Sequence, residues 1–215
     1  MRTALRTLMV PALAVFLAAT AGCSDDHDGE GVAKGKQAEA VCGAFAKDAP
    51  ALGALKALVG NGGLVDDRSQ RDETLKALRD ADGELSTKEL ANGSPFCRLQ
   101  TASDGEAALD IVFREAVAFP DGSDTASFAA FSTGESAQAS DRYAKIAFKC
   151  RMKESAKEIG VAAELERPGE TKAAQKDLPA LQVTVLNAAA RTVAAGLGCQ
   201  NDTKLVAGVP SAADR

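Results

Sequence analysis

The reactive side chains of this chain are few and widely spread. His27 is its only histidine and Tyr143 its only tyrosine, and the five cysteines are Cys23, Cys42, Cys97, Cys150 and Cys199. One histidine near the N-terminus excludes Ser-His-Asp triads, His-rich zinc sites and a His general base in the rest of the chain. Asp25, Asp26, His27 and Asp28 are metal-ligand types in sequence order. Nothing preorganises them around one point, and chelation would cost backbone entropy, so they read as a solvated stretch. No two cysteines lie nearer than 19 residues, whereas structural zinc sites use close pairs such as C-x-x-C. No metal and no cofactor is expected.

Catalysis without histidine would have to use Ser, Asp, Glu, Lys or Tyr143. Ser155-Ala156-Lys157 is not S-x-x-K, and Ser86-Thr87-Lys88 sits in a turn-rich stretch. There is no G-x-S-x-G, Walker loop or dinucleotide fingerprint. Asp66-Asp67 are adjacent carboxylates on a loop; such pairs diverge into solvent rather than sharing acid and base roles. The expectation is a protein without a catalytic residue. The alternative is a secreted or tethered enzyme using carboxylate or Ser/Lys chemistry.

Composition bounds what can position these groups. With 215 residues the chain suits one domain. It has eight Phe, one Tyr and no Trp, so the core must be built from Ala, Leu and Val. Roughly a fifth of the residues are Ala, which bury little area each. The net charge of -5 makes nucleic acid an unsuitable partner.

The N-terminus reads as an export signal over residues 1–22. Arg2 and Arg6 precede the apolar run Leu8 to Thr20, 13 residues that are interrupted only by Pro11. That is short of the about 20 residues needed to span a bilayer as a helix. Ala19-Thr20-Ala21 fits ordinary secretory cleavage after Ala21, which would leave a secreted chain. Thr20-Ala21-Gly22-Cys23 resembles a bacterial lipobox, with Thr where Leu is usual. The resemblance implies a lipid thioether on Cys23 and anchorage to the outer face of the bacterial cytoplasmic membrane. Cysteine parity favours this route. Lipid on Cys23 leaves four cysteines to pair, whereas plain secretion leaves one odd thiol in an oxidising place. Residues 23–36 are charged and Gly-rich, a flexible tether. Loss of residues 1–22 removes Arg2 and Arg6, so the mature charge is -5 - 2 = -7. A body so charged is repelled by an anionic membrane, which suits a tethered domain.

Residues 37–209 read as a single α+β domain, with a disordered tail at 210–215. Lys36 to Ala46 has the spacing of a helix. Asp48 and Pro50 begin a second, with Leu52, Leu55, Leu58 and Val59 on one side; Asn61-Gly62-Gly63 stops it. Asp72 to Ala81 is a short helix, and 82–95 is loop or turn. Cys97 and Leu99, then Leu109, Ile111 and Phe113, alternate with polar residues around Asp104-Gly105, a hairpin signal. Ile146, Phe148 and Cys150 alternate likewise, so an antiparallel sheet of at least three strands is expected. Ser155 to Leu165 reads as helical. The strongest helix starts at Asp177, a candidate cap. It carries Leu181, Val185, Ala189, Val193 and Leu197 on one face and ends at Gly196-x-Gly198.

Three segments carry a resemblance: Ser140-Asp141-Arg142-Tyr143-Ala144-Lys145-Ile146-Ala147-Phe148-Lys149-Cys150, Leu181 to Ala190, and Leu197-Gly198-Cys199. They resemble a group of small actinobacterial cell-envelope proteins with a lipobox or anchor, a strand ending in Phe-x-Cys and a late helix ending at Cys. The likeness runs loosely over 38–209 and more closely over 140–205. Lys149 departs from it, standing where an acidic residue is expected. Members are mostly described as lipoproteins without an assigned activity. The resemblance implies an envelope location and the cysteine framework, and it transfers no catalytic residue.

Four cysteines allow three pairings. The spacings, 97 - 42 = 55 and 199 - 150 = 49, favour Cys42–Cys97 and Cys150–Cys199, each joining a helix to a strand. Function is then expected to be recognition of an unknown protein or cell-wall partner by a binding or accessory module. The candidate contact residues are Phe119, Phe128 and Phe131 in the Gly/Ser/Ala-rich stretch 116–140. The competing reading of Phe128 and Phe131, three apart, is a short helix docked on the sheet.

Overall fold

Period-two alternation through the middle of the chain builds one antiparallel sheet, seven-stranded among the described residues. The computed structural model describes residues 35–81, 93–116, 128–153 and 158–213, all in the unit Val32–Arg215. The strands are β1 (Leu64–Val65), β2 (Ser94–Thr101), β3 (Ala107–Ala116), β4 (Ala129–Ala130), β5 (Ser136–Ala139), β6 (Tyr143–Arg151) and β7 (Glu158–Glu166). Their order is β1-β2-β3-β7-β6-β5-β4. The fold class is therefore α+β, with the sheet larger than the three strands the sequence requires.

The expected hairpin is β2–β3, turned at Gly105 with φ 72°. Leu99, Leu109, Ile111 and Phe113 point to the core with Ile146, Phe148 and Cys150, all at most 1% exposed. Ser94-Pro95 opens β2 rather than lying in a turn. Proline is tolerated there because β1 reaches only Gln100 and Thr101 and a register shift follows Pro95.

Among the described residues three α-helices cover the core face. Helix α1 (Ala49–Val59) starts as expected, with Asp48 Oδ1 accepting the Ala51 amide at 2.8 Å. Helix α2 (Arg71–Asp80) packs on β2, and α3 (Leu178–Leu197) lies on β6 with β5 and β7. On its other side α3 carries α1, so residues 182–190 are buried around the whole helix rather than on one stripe. Val185, Ala189 and Val193 are fully buried, as their face requires, while Leu181 is only half-buried. Gly198 ends α3 with φ 68°. Asp177 does not cap it: that residue closes a 3-10 turn, Gln175–Asp177, and makes no capping hydrogen bond.

Two expected helices are something else. The described part of the stretch read as a helix from Ser155 to Leu165 is β7, which starts at Glu158 and is hydrogen-bonded on both edges to β3 and β6. Ile159, Val161, Ala163 and Leu165 alternate into the core, and pairing on both sides overrides the helix propensity of Ala and Glu. At the N-terminus, Lys36 forms a bridge with Leu64, and the chain then turns left-handed at Cys42, Gly43 and Ala44 (φ 50°, 71° and 54°). A right-handed helix cannot pass three such residues.

Residues 210–213, expected in a disordered tail, instead form the end of a strap. Phe131 bridges Ala212, and Ala213 N–H donates to Ala130 O at 3.0 Å. A buried trio holds the approach. Thr133 Oγ1 donates to Asn187 Oδ1 (2.7 Å), Asn187 Nδ2 to Val206 O (2.8 Å), and the Val206 amide to Thr133 Oγ1 (3.2 Å).

Candidate functional site

The cysteine framework is the pairing the spacings favour. Cys42–Cys97 joins the left-handed turn to β2 with Cα atoms 5.4 Å apart, and Cys150–Cys199 joins β6 to the end of α3 at 5.0 Å. Cys23 and Phe119 lie outside the described residues.

Two of the three candidate aromatic contacts, Phe128 and Phe131, lie among the described residues. Phe131 sits in the core, 8% exposed, and it belongs to a strand bridge rather than a helix. Phe128 is half-buried, with its ring edge-on to Tyr143 at 6.2 Å.

Beneath Phe128, the sheet face opposite α3 carries an ionic ladder. Alternation sends Tyr143 and Lys145 of β6, Glu164 of β7 and Arg114 of β3 to this side. Glu164 lies directly across from Lys145 and pairs with Lys145 Nζ at 3.3 Å and with Arg114. Burial, then the charge and hydrogen bond of Glu164, push the Tyr143 hydroxyl far above its ordinary range. The phenol is protonated at neutral pH and donates to the Glu164 carboxylate. Further along, Arg98 pairs with Asp110 and Arg151 with Glu158. The four ladder residues converge on this face, and each of them is partly buried.

A second centre lies at the Cys42 turn, and Asp66 organises it. Asp66 Oδ2 accepts the Cys42 amide at 2.6 Å, and Asp66 Oδ1 takes Lys36 Nζ at 2.6 Å. Burial alone would raise this carboxyl, but the Lys36 hydrogen bond and charge and the Cys42 amide together hold it below the ordinary carboxylate range. Reading Asp66-Asp67 as a solvated pair missed this role. No local signal could reveal it, because the partner is 24 residues away. Phe45 and Phe96 meet edge-on at 5.9 Å, and Phe96 and Phe113 at 5.3 Å, which seats the turn on the core.

Among the described residues, grooves border the helices. One of 690 Å³ runs between the end of α1 and residues 170–173. One of 570 Å³ lies between the 43–48 turn, Arg71 and α3, and one of 530 Å³ lies on the other side of Arg71. Among the described residues no three His, Cys, Asp or Glu side chains are placed to hold a metal. No helix among them is long and apolar enough to cross a membrane.

Comparison with protein-family models, curated proteins and solved structures finds no match to this chain.

Proposed function

We propose that this chain is a lipid-anchored extracytoplasmic protein of the bacterial envelope whose domain works by non-covalent recognition. The observation that carries the reading is the cysteine account. Cys42–Cys97 and Cys150–Cys199 use four cysteines, which points to an oxidising compartment. The fifth, Cys23, follows the 13-residue apolar run at the position where a lipobox places its lipid. The anchor sets the domain on the outer face of the cytoplasmic membrane, facing a protein or cell-wall partner.

Recognition is favoured over catalysis by how the ionisable groups are employed. Tyr143, Glu164, Lys145 and Arg114 hold one another across three strands, and Asp66 holds a backbone turn. Metabolic labelling with a clickable fatty acid tests the anchor. Wild-type protein is expected to carry label in the membrane fraction, and Cys23→Ser is expected to carry none. Label on both, or on neither, contradicts the anchor.

A further inference from the structure

We propose that the 570 Å³ groove between the Cys42–Asp48 turn, Arg71 and α3 binds a soluble phosphate monoester or inorganic phosphate. This deepens the recognition reading and does not depend on the lipid anchor.

Three cations from three separate elements line the groove: Lys47 after the left-handed turn, Arg71 at the start of α2 and Arg191 in α3. Its one carboxylate, Asp48, is already engaged. Oδ1 caps α1, and Oδ2 takes Arg191 Nη1 at 3.3 Å. The formal balance at the groove is thus 3 - 1 = +2. A phosphate monoester carries about -1.5 to -2 at pH 7, so the charges match. A carboxylate or a phosphodiester brings a single charge and matches less well. The net acidity of the chain opposes long polyanions, but it does not oppose one compact anion at a local cationic site.

Arg71 is the central group. Its guanidinium makes no hydrogen bond or ion pair among the described residues, and its Nε is buried without a partner. A buried guanidinium N–H without an acceptor is unfavourable, and an incoming oxyanion would relieve it with a charge-assisted bond. The backbone makes room for this side chain. A Cβ on residue 43 would lie 2.6 Å from Arg71 Nη1, so a larger residue there would displace the guanidinium from its present place. Gly43 occupies that place between Cys42 and Ala44, two non-glycine residues held at positive φ. Strain of this kind gathers where a site is shaped for a ligand. On the far side of Arg71 the 530 Å³ groove carries Asp66, Asp67, Asp72 and Glu73. Lys36, paired with Asp66, and Arg71 are the cations of that groove, so its formal balance of 2 - 4 = -2 suits an anion less well than the +2 on the Arg191 side.

Isothermal titration of the full mature protein in detergent micelles tests this. The probes are inorganic phosphate, glycerol 3-phosphate, the diester glycerophosphocholine and acetate. Saturable binding of the first two is expected, with the diester and acetate weaker. Arg71→Gln is expected to weaken phosphate binding about tenfold or more. Its melting temperature should stay at the wild-type value, because Arg71 has no protein partner to lose. Lys47→Gln, an exposed position, should weaken binding to a lesser degree. Absence of phosphate binding by the wild type, equal affinity for acetate, or unchanged affinity in Arg71→Gln would each overturn the assignment. Saturable binding that ignores Arg71 removes this groove and leaves a recognition module with its site elsewhere. The fatty-acid labelling result is independent of all these outcomes.

Discussion

Asp66 Oδ2 accepts the backbone N–H of Cys42 at 2.6 Å, at the residue where the chain enters a left-handed turn. The same turn holds one end of a disulfide and the glycine under Arg71. A single buried carboxylate therefore fixes a staple and a groove wall together.

Removing that acceptor should be costly. Asp66→Ala leaves the Cys42 amide unpaired in a part-buried site, with an expected loss of about 1–3 kcal/mol. Asp66→Asn keeps an acceptor and should lose less. The pH dependence follows from the depressed carboxyl. Its contribution is fully present above the unfolded value of about 4 and is lost as pH falls through the lower folded value. Urea titrations across the acid range should show a flatter acid limb for Asp66→Asn than for the wild type. Identical limbs would contradict the role.

Tyr143 gives a spectroscopic check of the sheet-face ladder. It is the only tyrosine and there is no tryptophan, so phenolate absorbance reports one group. Its raised folded value means that the stability it contributes is full below about pH 10 and falls as pH climbs beyond that. Phenolate should appear together with alkaline unfolding. Glu164→Gln should bring the titration down, because the repelling charge is gone while Arg114 and Lys145 remain. A wild-type midpoint near pH 10 in the folded state would remove the ladder.

The α3 helix offers a contrast of two positions that share one sequence stripe. Val185 is fully buried, whereas Leu181 is half-buried. Val185→Asp buries an unpaired charge, and a loss of about 4 kcal/mol or more, or failure to fold, is expected. Leu181→Asp should cost about 1 kcal/mol. Denaturant midpoints of the two variants check the order.

How much of this was legible depended on how local the cause was. Asp48 with Pro50, the Asp104-Gly105 hairpin, the alternation around Phe148 and the disulfide pairs were all readable, because short-range patterns and spacing encode them. β7 was misread although Ile159, Val161, Ala163 and Leu165 alternate. Ala- and Glu-rich segments favour helix until neighbours bond both edges, and that pairing lies in β3 and β6. The left-handed turn at Cys42 depends on Asp66 and Cys97, at sequence separations of 24 and 55. The C-terminal strap depends on an edge strand that only the finished sheet provides. Of the candidate site, the four paired cysteines were legible. Arg71 was not, since nothing in its local sequence separates it from a solvated arginine at a helix start.

The central claim is that Cys23 carries lipid while the other four cysteines pair, and intact mass of the purified protein tests it most directly. The account predicts a chain that begins at Cys23, bears a diacylglyceryl group and yields no free thiol until it is reduced. A chain cleaved after Ala21, unlipidated and with one free thiol, would contradict it.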